Sequence, residues 1–386
     1  MILLAKRACL NLSYAYHLRF RRGQPVDWIV GPYEIASMVF DVARALPSAE
    51  SVVLAKHPFY DHVYDWQGSE PRTNVGAWFA KRFRGPLKLG ELAARAQGFI
   101  YIGGEGFFTA SDDRRRLEFR FLKKRGKKIV CYFTGNDVRS PLLMAELEIA
   151  TGEPNLGTYL SEINPIFGSQ QYETYQFEIA ASADEYADVI LNSSVDNRAY
   201  LARATEPFLY FFADERIATS FDKFRDVSRP VILHAPTSPV IKGTQLVRAA
   251  IAELRAEGRE FEYVELLRQP HEEVIENLRR AHIVLNQFYS MTPGVFGIEA
   301  LAAGCVVLMS PSEEDEPTVL PDSRRAWIVT RHYQVASNLR RVLDDSESWE
   351  AQARAGVDWV RLHASYSVNG PRLARILGAE ERTSRS

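Results

Sequence analysis

This chain of 386 residues is short of several things, and each shortage narrows its class. No run approaches the roughly 20 consecutive apolar residues that a membrane-crossing helix needs. Cysteine is scarce: Cys9, Cys131 and Cys305 are odd in number, far apart, and each in or beside an apolar run. That pattern excludes a disulfide framework and a cysteine–histidine zinc site, and fits reduced, buried thiols in a cytoplasmic protein. Charge of one sign is lacking too. The 47 Lys and Arg face 49 Asp and Glu, a net charge of -2, so no bulk field favours nucleic acid. Met1–Leu12 has Lys6 and Arg7 inside its apolar stretch and no small-residue cleavage pattern after it, so no secretory signal is expected. There is no internal repeat and no low-complexity segment.

What is present is enough apolar residue, 46%, for two cores of ordinary size. The most informative stretch runs from Val231 to Met309, where strand, loop and helix follow one another twice. Val231–Leu233 reads as a short buried strand, and Pro236 and Pro239 argue against helix in the loop His234–Ile241. Lys242-Gly243-Thr244 then opens a helix with Leu246, Val247, Ala250, Ile251 and Leu254 on one face. A helix start after a strand offers free backbone N–H groups and a positive dipole to an anion, and Lys242 adds a full charge. A solvated lysine at an ordinary helix start is the competing account. Ile283–Leu285 is a second strand, followed by a loop from Asn286 through Pro293, Gly294 and Gly297. Glu299 is expected in the first turn of a helix Ile298–Ala303, with Gly304 ending it before a strand Cys305–Met309. There it either favours the helix dipole or accepts hydrogen bonds from the vicinal hydroxyls of a ribose.

The two segments, with Gly-Val-Phe-Gly-Ile-Glu-Ala-Leu-Ala-Ala-Gly-Cys-Val-Val from Gly294, resemble the donor-binding half of GT-B glycosyltransferases of the retaining family-four kind, glycosyltransferase group 1. The His-Ala-Pro opening at His234 is similar to a subgroup found with bacterial surface-polysaccharide enzymes. The resemblance implies an α/β fold of two Rossmann-like doubly wound domains facing a central cleft. Residues 1–215 would bind the acceptor, 216–365 the nucleotide-sugar donor, and 366–386 would return to the first domain as a helix with a polar tail. It implies Lys242 and Glu299 as the catalytic pair. His234, Thr237, Gly243, Thr244, Glu265, Gln287, Gly294, Phe296, Gly297 and Ile298 would form the donor site, and Tyr289 would face the same mouth. His234 and Thr237 read equally as phosphate contacts or structural caps, and Glu265 as a base contact or a surface carboxylate. Two departures are plain: no Arg lies between Val231 and Lys242, and Met291 stands where the family has a first Glu, eight residues before Glu299.

In the first half, a strand is expected at Ala8–Leu12, a helix at Tyr33–Leu46, and a strand at Ser51–Ala55. Asn11–His17 offers no glycine for the loop that the family often places after its first strand. Residues 61–95 look irregular. From Gly98 the alternation is clear: strands Phe99–Ile102 and Ile129–Phe133 flank a helix at Arg114–Lys124. The tip Thr134-Gly135-Asn136-Asp137-Val138-Arg139 resembles a strand end that faces the cleft, which places Asn136, Asp137 and Arg139, with Gly104 and Glu105 of the preceding loop, at the acceptor. A local ion pair and cap accounts for Asp137 and Arg139 equally well. A helix Glu178–Ala187, a strand Asp188–Asn192, a helix from Ser194 through Leu201 and a hinge over 209–221 complete this half. The acidic run Glu313–Glu316 reads as an exposed loop, and no metal site is expected, since a DXD motif belongs to another glycosyltransferase fold. The later strands Phe261–Leu266 and Trp327–Thr330 alternate with helices His271–Ala281, Val335–Leu343, Trp349–Leu362 and Pro371–Leu377, before a disordered tail at 380–386.

The expected activity is metal-independent transfer of a hexose, with retention, from a UDP- or GDP-sugar to a glycan or lipid-linked acceptor, with no cofactor and no nucleic acid. Trp78–Arg84, Arg19–Arg22 and Arg114–Lys128 mix positive charge with aromatics. They read either as solvated loops or as peripheral contact with an anionic membrane at the inner face of the plasma membrane. Rival readings are a sugar-nucleotide epimerase or phosphorylase of the same architecture, and a degenerate transferase serving as a glycan-binding or scaffold partner.

Overall fold

The computed structural model describes residues 2–20, 23–108 and 113–378. Its centre is two all-parallel sheets. The first holds β1 (Val26–Gly31), β2 (Ala49–Val53), β3 (Trp66–Gln67), β4 (Ala96–Ile102), β5 (Lys128–Tyr132), β6 (Val189–Asn192) and β7 (Glu206–Pro207), in the order 3-2-1-4-5-6-7. The second holds β8 (Val231–His234), β9 (Glu262–Glu265), β10 (Ile283–Leu285), β11 (Val306–Met309) and β12 (Ile328–Val329), in the order 12-11-10-8-9. Parallel strands joined by helical crossovers are covered on both faces, so the central ones are near-continuous apolar runs. Val306–Met309 and Ile283–Leu285, for example, are buried throughout.

Strand order fixes where a ligand can sit. Both sheets reverse their winding once, between β1 and β4 in the first and between β8 and β10 in the second. At such a reversal the neighbouring loops diverge and leave a crevice at the carboxyl ends of the strands. One continuous apolar cluster joins the two halves. It runs from Val30 and Ile100 through the buried stretch Phe208–Phe212 to Leu233, Val284 and Leu301. The last helix, Tyr366–Ile376, lies against helix Met38–Ala45 of the first half: the Tyr366 hydroxyl donates to Asp41, and Gly370 approaches the Ala45 carbonyl so closely that a Cβ would overlap it.

Several expectations are corrected. Ala8–Leu12 is not a strand but part of a 19-residue helix, Ile2–Phe20. The first strand is Val26–Gly31, so the loop after it begins at Pro32 and not at Asn11. Residues 61–95, read as irregular, contain a continuous helical run from Asn74 to Ala93. Ser194–Leu201 holds no helix. Pro239 does not prevent a helix: it occupies the first position of the short helix Pro239–Lys242, where its missing N–H costs nothing. Glu299 lies in the second turn, because its helix starts at Gly294. The run at 313–316 is not simply exposed. Glu316 is fully buried and accepts from the Val195 and Asp196 amides of the first half at 2.6 and 2.7 Å. Cys131 and Cys305 are buried, while Cys9 is half-buried. Arg21, Arg22 and the tail 380–386 lie outside the described residues.

Candidate functional site

The crevice between β8 and β10 is built from two loops and a helix start. After β8, helix Pro239–Lys242 ends at Gly243, whose φ of 74° is left-handed backbone that suits glycine. That bend starts helix Thr244–Ala256 and turns the Lys242 side chain back over the sheet. After β10, Asn286 and Gln287 meet it: Lys242 Nζ donates to Gln287 Oε1 at 2.6 Å and lies 3.4 Å from Asn286 Oδ1. The third element is the N-terminus of helix Gly294–Ala302. A Cβ built on Gly294 would lie 3.9 Å from Lys242 Nζ, so ammonium and helix start face one spot. Among the described residues no carboxylate is within salt-bridge distance of this ammonium. Its neighbours are neutral amides. Burial lowers its pKa to about 8, with Asp196 acting in the opposite direction.

Glu299 is on the same helix, 5% exposed, and its carboxylate is engaged. His271 Nε2 lies 2.5 Å from Glu299 Oε1. His271 begins helix His271–Arg280, and its backbone N–H donates to the Phe59 carbonyl of the first half at 3.2 Å. Tyr60 lies against His271 with ring centroids 4.8 Å apart and the planes tilted by 45°, and His62 stands 6.5 Å away. His62 is itself held by Ser37 at 2.6 Å and stacked on Phe40, and burial lowers its pKa to about 4. A histidine–tyrosine segment of the first half therefore lies across the seam next to Glu299.

The other expected donor residues divide. His234 is fully buried: one ring nitrogen is 2.7 Å from the Leu285 carbonyl and the other 2.9 Å from Thr244 Oγ1. Burial lowers its pKa to about 4, so the ring is neutral, and with Thr244 it ties β8, β10 and the helix start together. Of its two readings, the geometry matches the structural cap. Thr237 is exposed at the mouth of the loop. Glu265 takes Arg248 at 2.5 Å and the Tyr263 hydroxyl at 2.7 Å, a surface pair at a strand end. Phe296 is half-buried and Ile298 points into the core. Gly297 is packed beneath Asn286 and Pro293, where a Cβ would meet atoms at 2.6 and 2.8 Å. Tyr289 meets Tyr159 of the first half with ring centroids 4.6 Å apart and the planes tilted by 46°. Met291 is buried against Met144 and Leu147.

At the carboxyl ends of the central strands of the first sheet the loops after β1, β4 and β5 meet. Gly103 and Gly104 pack on Asp137, and Ile35 touches Gly103. Asp137 Oδ2 accepts from Thr134 N at 2.8 Å and Thr134 Oγ1 at 2.7 Å, which caps its own turn. It makes no pair with Arg139. Arg139 is buried and bonded to Asp196 Oδ2 at 2.9 Å, and its guanidinium also donates to Asn136 Oδ1. Asp196 in turn accepts from Met291 N at 2.6 Å and Ser290 Oγ at 2.9 Å, so this network straps the two halves together. Glu105 is exposed beside it. Sequence reading missed Asp196, Glu316, His271 and the 57–62 segment. The density of His57, Phe59, Tyr60 and His62 just after an apolar strand is the one signal that pointed there. Among the described residues, no group of three His, Cys, Asp or Glu is placed to hold a metal ion.

No protein-family model and no curated protein matches the chain. Solved structures do. The chain is similar to sucrose-phosphate synthase from Thermosynechococcus elongatus, at 13% identity and TM-score 0.61, over 94% of this chain and 100% of that one. It is similar to WaaG, a glycosyltransferase involved in lipopolysaccharide biosynthesis, at 13% identity and TM-score 0.54, over 90% and 97%. A trehalose-6-phosphate synthase studied for glycosyl transfer with retention matches at 10% identity and TM-score 0.50, over 86% and 94%. With identity this low the likeness concerns architecture: two parallel sheets of seven and five strands, matched across nearly the whole chain, make this a GT-B fold.

Proposed function

We propose that the protein is a glycosyltransferase that moves a hexose from a UDP- or GDP-sugar, with retention, to a glycan or lipid-linked acceptor, in bacterial surface polysaccharide or glycoconjugate synthesis. The observation that carries this reading is Lys242: an enclosed ammonium with only neutral partners, beside a helix N-terminus, at the winding reversal of the second sheet. A half-buried cation without a counter-charge carries a desolvation cost that an arriving anion offsets. A diphosphate supplies that charge, and the charge grows as the diphosphate departs from the sugar, so the same groups favour the transition state over the bound donor. The Gly294 helix start adds its dipole to the same spot.

Glu299 is the ribose-binding group in this reading. With His271 on one oxygen, it receives a diol through its other oxygen or after the ring withdraws along the seam. The acceptor would enter over the loops carrying Gly104, Glu105 and Asn136. The metal-independent, cytoplasmic character belongs to the same proposal.

A thermal-shift panel of UDP- and GDP-sugars tests this on the unmodified protein, on Lys242→Ala and on Glu299→Ala. Selective stabilisation of the unmodified protein is expected, and equal stabilisation of all three removes the site assignment. A second reading, a degenerate GT-B protein that binds without transfer, draws on Met291, a packed apolar side chain where the family resemblance would put a Glu. Nucleotide binding with neither transfer nor hydrolysis of the donor would favour it. Conversion of the donor to an isomer without acceptor would identify an epimerase.

A further inference from the structure

The helix Ile2–Phe20 has no counterpart in the chemistry above, and its outward face is unlike the rest of the surface. It contains no Asp or Glu. Its buried side packs on helix Gly85–Ala93, where Gly90 lies against the Leu10 carbonyl and Ser13. Its outer side exposes Leu4 and Leu12 at 70%, Phe20 at 67% and Tyr16 at 48%. Leu12, Tyr16 and Phe20 are four residues apart and form one stripe. The helical run Asn74–Arg84 lies alongside: Ser13 and His17 line one groove with Phe79 and Ala80. That run exposes Trp78 at 50% and Phe79 at 48%, so the apolar surface continues across both elements.

Positive charge flanks this surface on both sides. On one side are Lys81 and Arg82, the latter 4.6 Å from the Trp78 ring. On the other is a groove of about 370 Å³ whose lining holds five basic side chains, Arg7, Arg116, Arg120, Lys124 and Arg125, against one acid, Asp113, with Arg116 also paired to Glu185. Arg7 and Lys124 hold no carboxylate among the described residues.

We propose that helix Ile2–Phe20, together with the run Asn74–Arg84, docks the protein on an anionic lipid bilayer. The helix lies on the bilayer and does not cross it, since no helix of the described residues is long and apolar enough to span one. The apolar stripe enters the acyl boundary while the basic flanks sit among the headgroups. Charge selects this occupant over a second copy of the chain, because a self-interface would set cations against cations. The proposal enlarges the basic stretch around Trp78 into a two-helix surface and gives the acceptor a location, that of a lipid-linked glycan. It does not depend on the donor site.

The test is co-sedimentation of the full chain with phosphatidylcholine vesicles, with and without phosphatidylglycerol. The protein should pellet with the mixed vesicles, be released by salt, and stay soluble with phosphatidylcholine alone. Leu12→Glu with Phe20→Glu, and separately Lys81→Glu with Arg82→Glu, should each lower the bound fraction by roughly tenfold or more. Ile149→Glu, at a position 84% exposed elsewhere, should leave it unchanged, and thermal unfolding should match across the set. Equal binding by all variants, or no binding by the unmodified protein, overturns the proposal. So does a dimer in solution that Leu12→Glu dissolves, which would make the stripe a self-association face. If vesicle binding fails while UDP binding is intact, only this inference falls. If UDP binding fails while vesicle binding holds, only the transferase reading does.

Discussion

The two halves of the cleft carry comparable charged groups and treat them in opposite ways. On the first sheet, two of the expected charges are spent on protein: Asp137 caps its own turn, and Arg139 is neutralised by Asp196, the last two side chains being nearly free of solvent. On the second sheet, Lys242 is enclosed by carbonyl oxygens of Asn286 and Gln287 and left positive. Similar residue types in similar loops thus separate into a neutralised strap and an ammonium among neutral amides, and what separates them is whether a counter-charge lies within reach. A satisfied buried pair ties two segments together, whereas the half-buried charge without a counter-ion is the group that the proposed function assigns to the donor.

The largest effect that can break this contrast is on the strap. Asp196→Ala leaves Arg139 buried and unpaired and removes the acceptor for Met291 N, so stability should fall by about 3–5 kcal/mol. Chemical denaturation reads that loss. A fall of similar size in Lys242→Ala would erase the distinction, since that substitution should leave stability unchanged or slightly raised. Next in size is donor binding. Lys242→Ala removes one charge-assisted interaction, about 1.5–3 kcal/mol, and should weaken UDP or GDP affinity roughly tenfold or more by calorimetry. Asp137→Asn should leave that affinity unchanged. Glu299→Ala should also weaken binding by about tenfold, whereas His271→Ala, which frees the carboxylate, should not.

A smaller effect lies in pH. The Lys242 ammonium is charged below a pKa of about 8, so nucleotide affinity should decline as pH rises through that value. Because the folded pKa is below the ordinary lysine value, the unfolded chain binds more protons in the window above about 8. The contribution of this residue to stability therefore rises with pH while affinity falls. Lys242→Arg, charged throughout, should remove the pH step. The smallest effect is Asp137→Asn on stability, on the order of 1 kcal/mol for a weakened cap.

Legibility in the sequence followed the same division. The segment from β8 to β11 was readable because buried parallel strands are uninterrupted apolar runs and because Lys242-Gly243 and Gly294…Glu299 stand at fixed offsets from them. The first fifty residues were not. Ala8–Leu12 is a short apolar run, which periodicity cannot assign, and only its packing on Gly90 marks it as helix. Val26–Gly31 carries Asp27 at its start, which hid a strand that is otherwise buried. Glu316 looked like a surface acid because its partners, the Val195 and Asp196 amides, are about 120 residues earlier in the chain. His271 gave no local sign of meeting Glu299, since the two are joined only when β9 and β10 lie on either side of β8.

By itself, the amino-acid order determined the alternation of strand and helix, the two apolar cores and the positions of the lysine and glutamate on successive crossovers, because these depend on hydrophobic periodicity and helix-start chemistry within some twenty residues. The tertiary structure alone decided which charges are neutralised. It paired Arg139 with Asp196, set His271 on Glu299 and left Lys242 among amides. The cause is physical: the electrostatic state of a buried group depends on what other segments bring within a few ångströms, and that distance is unrelated to separation along the chain.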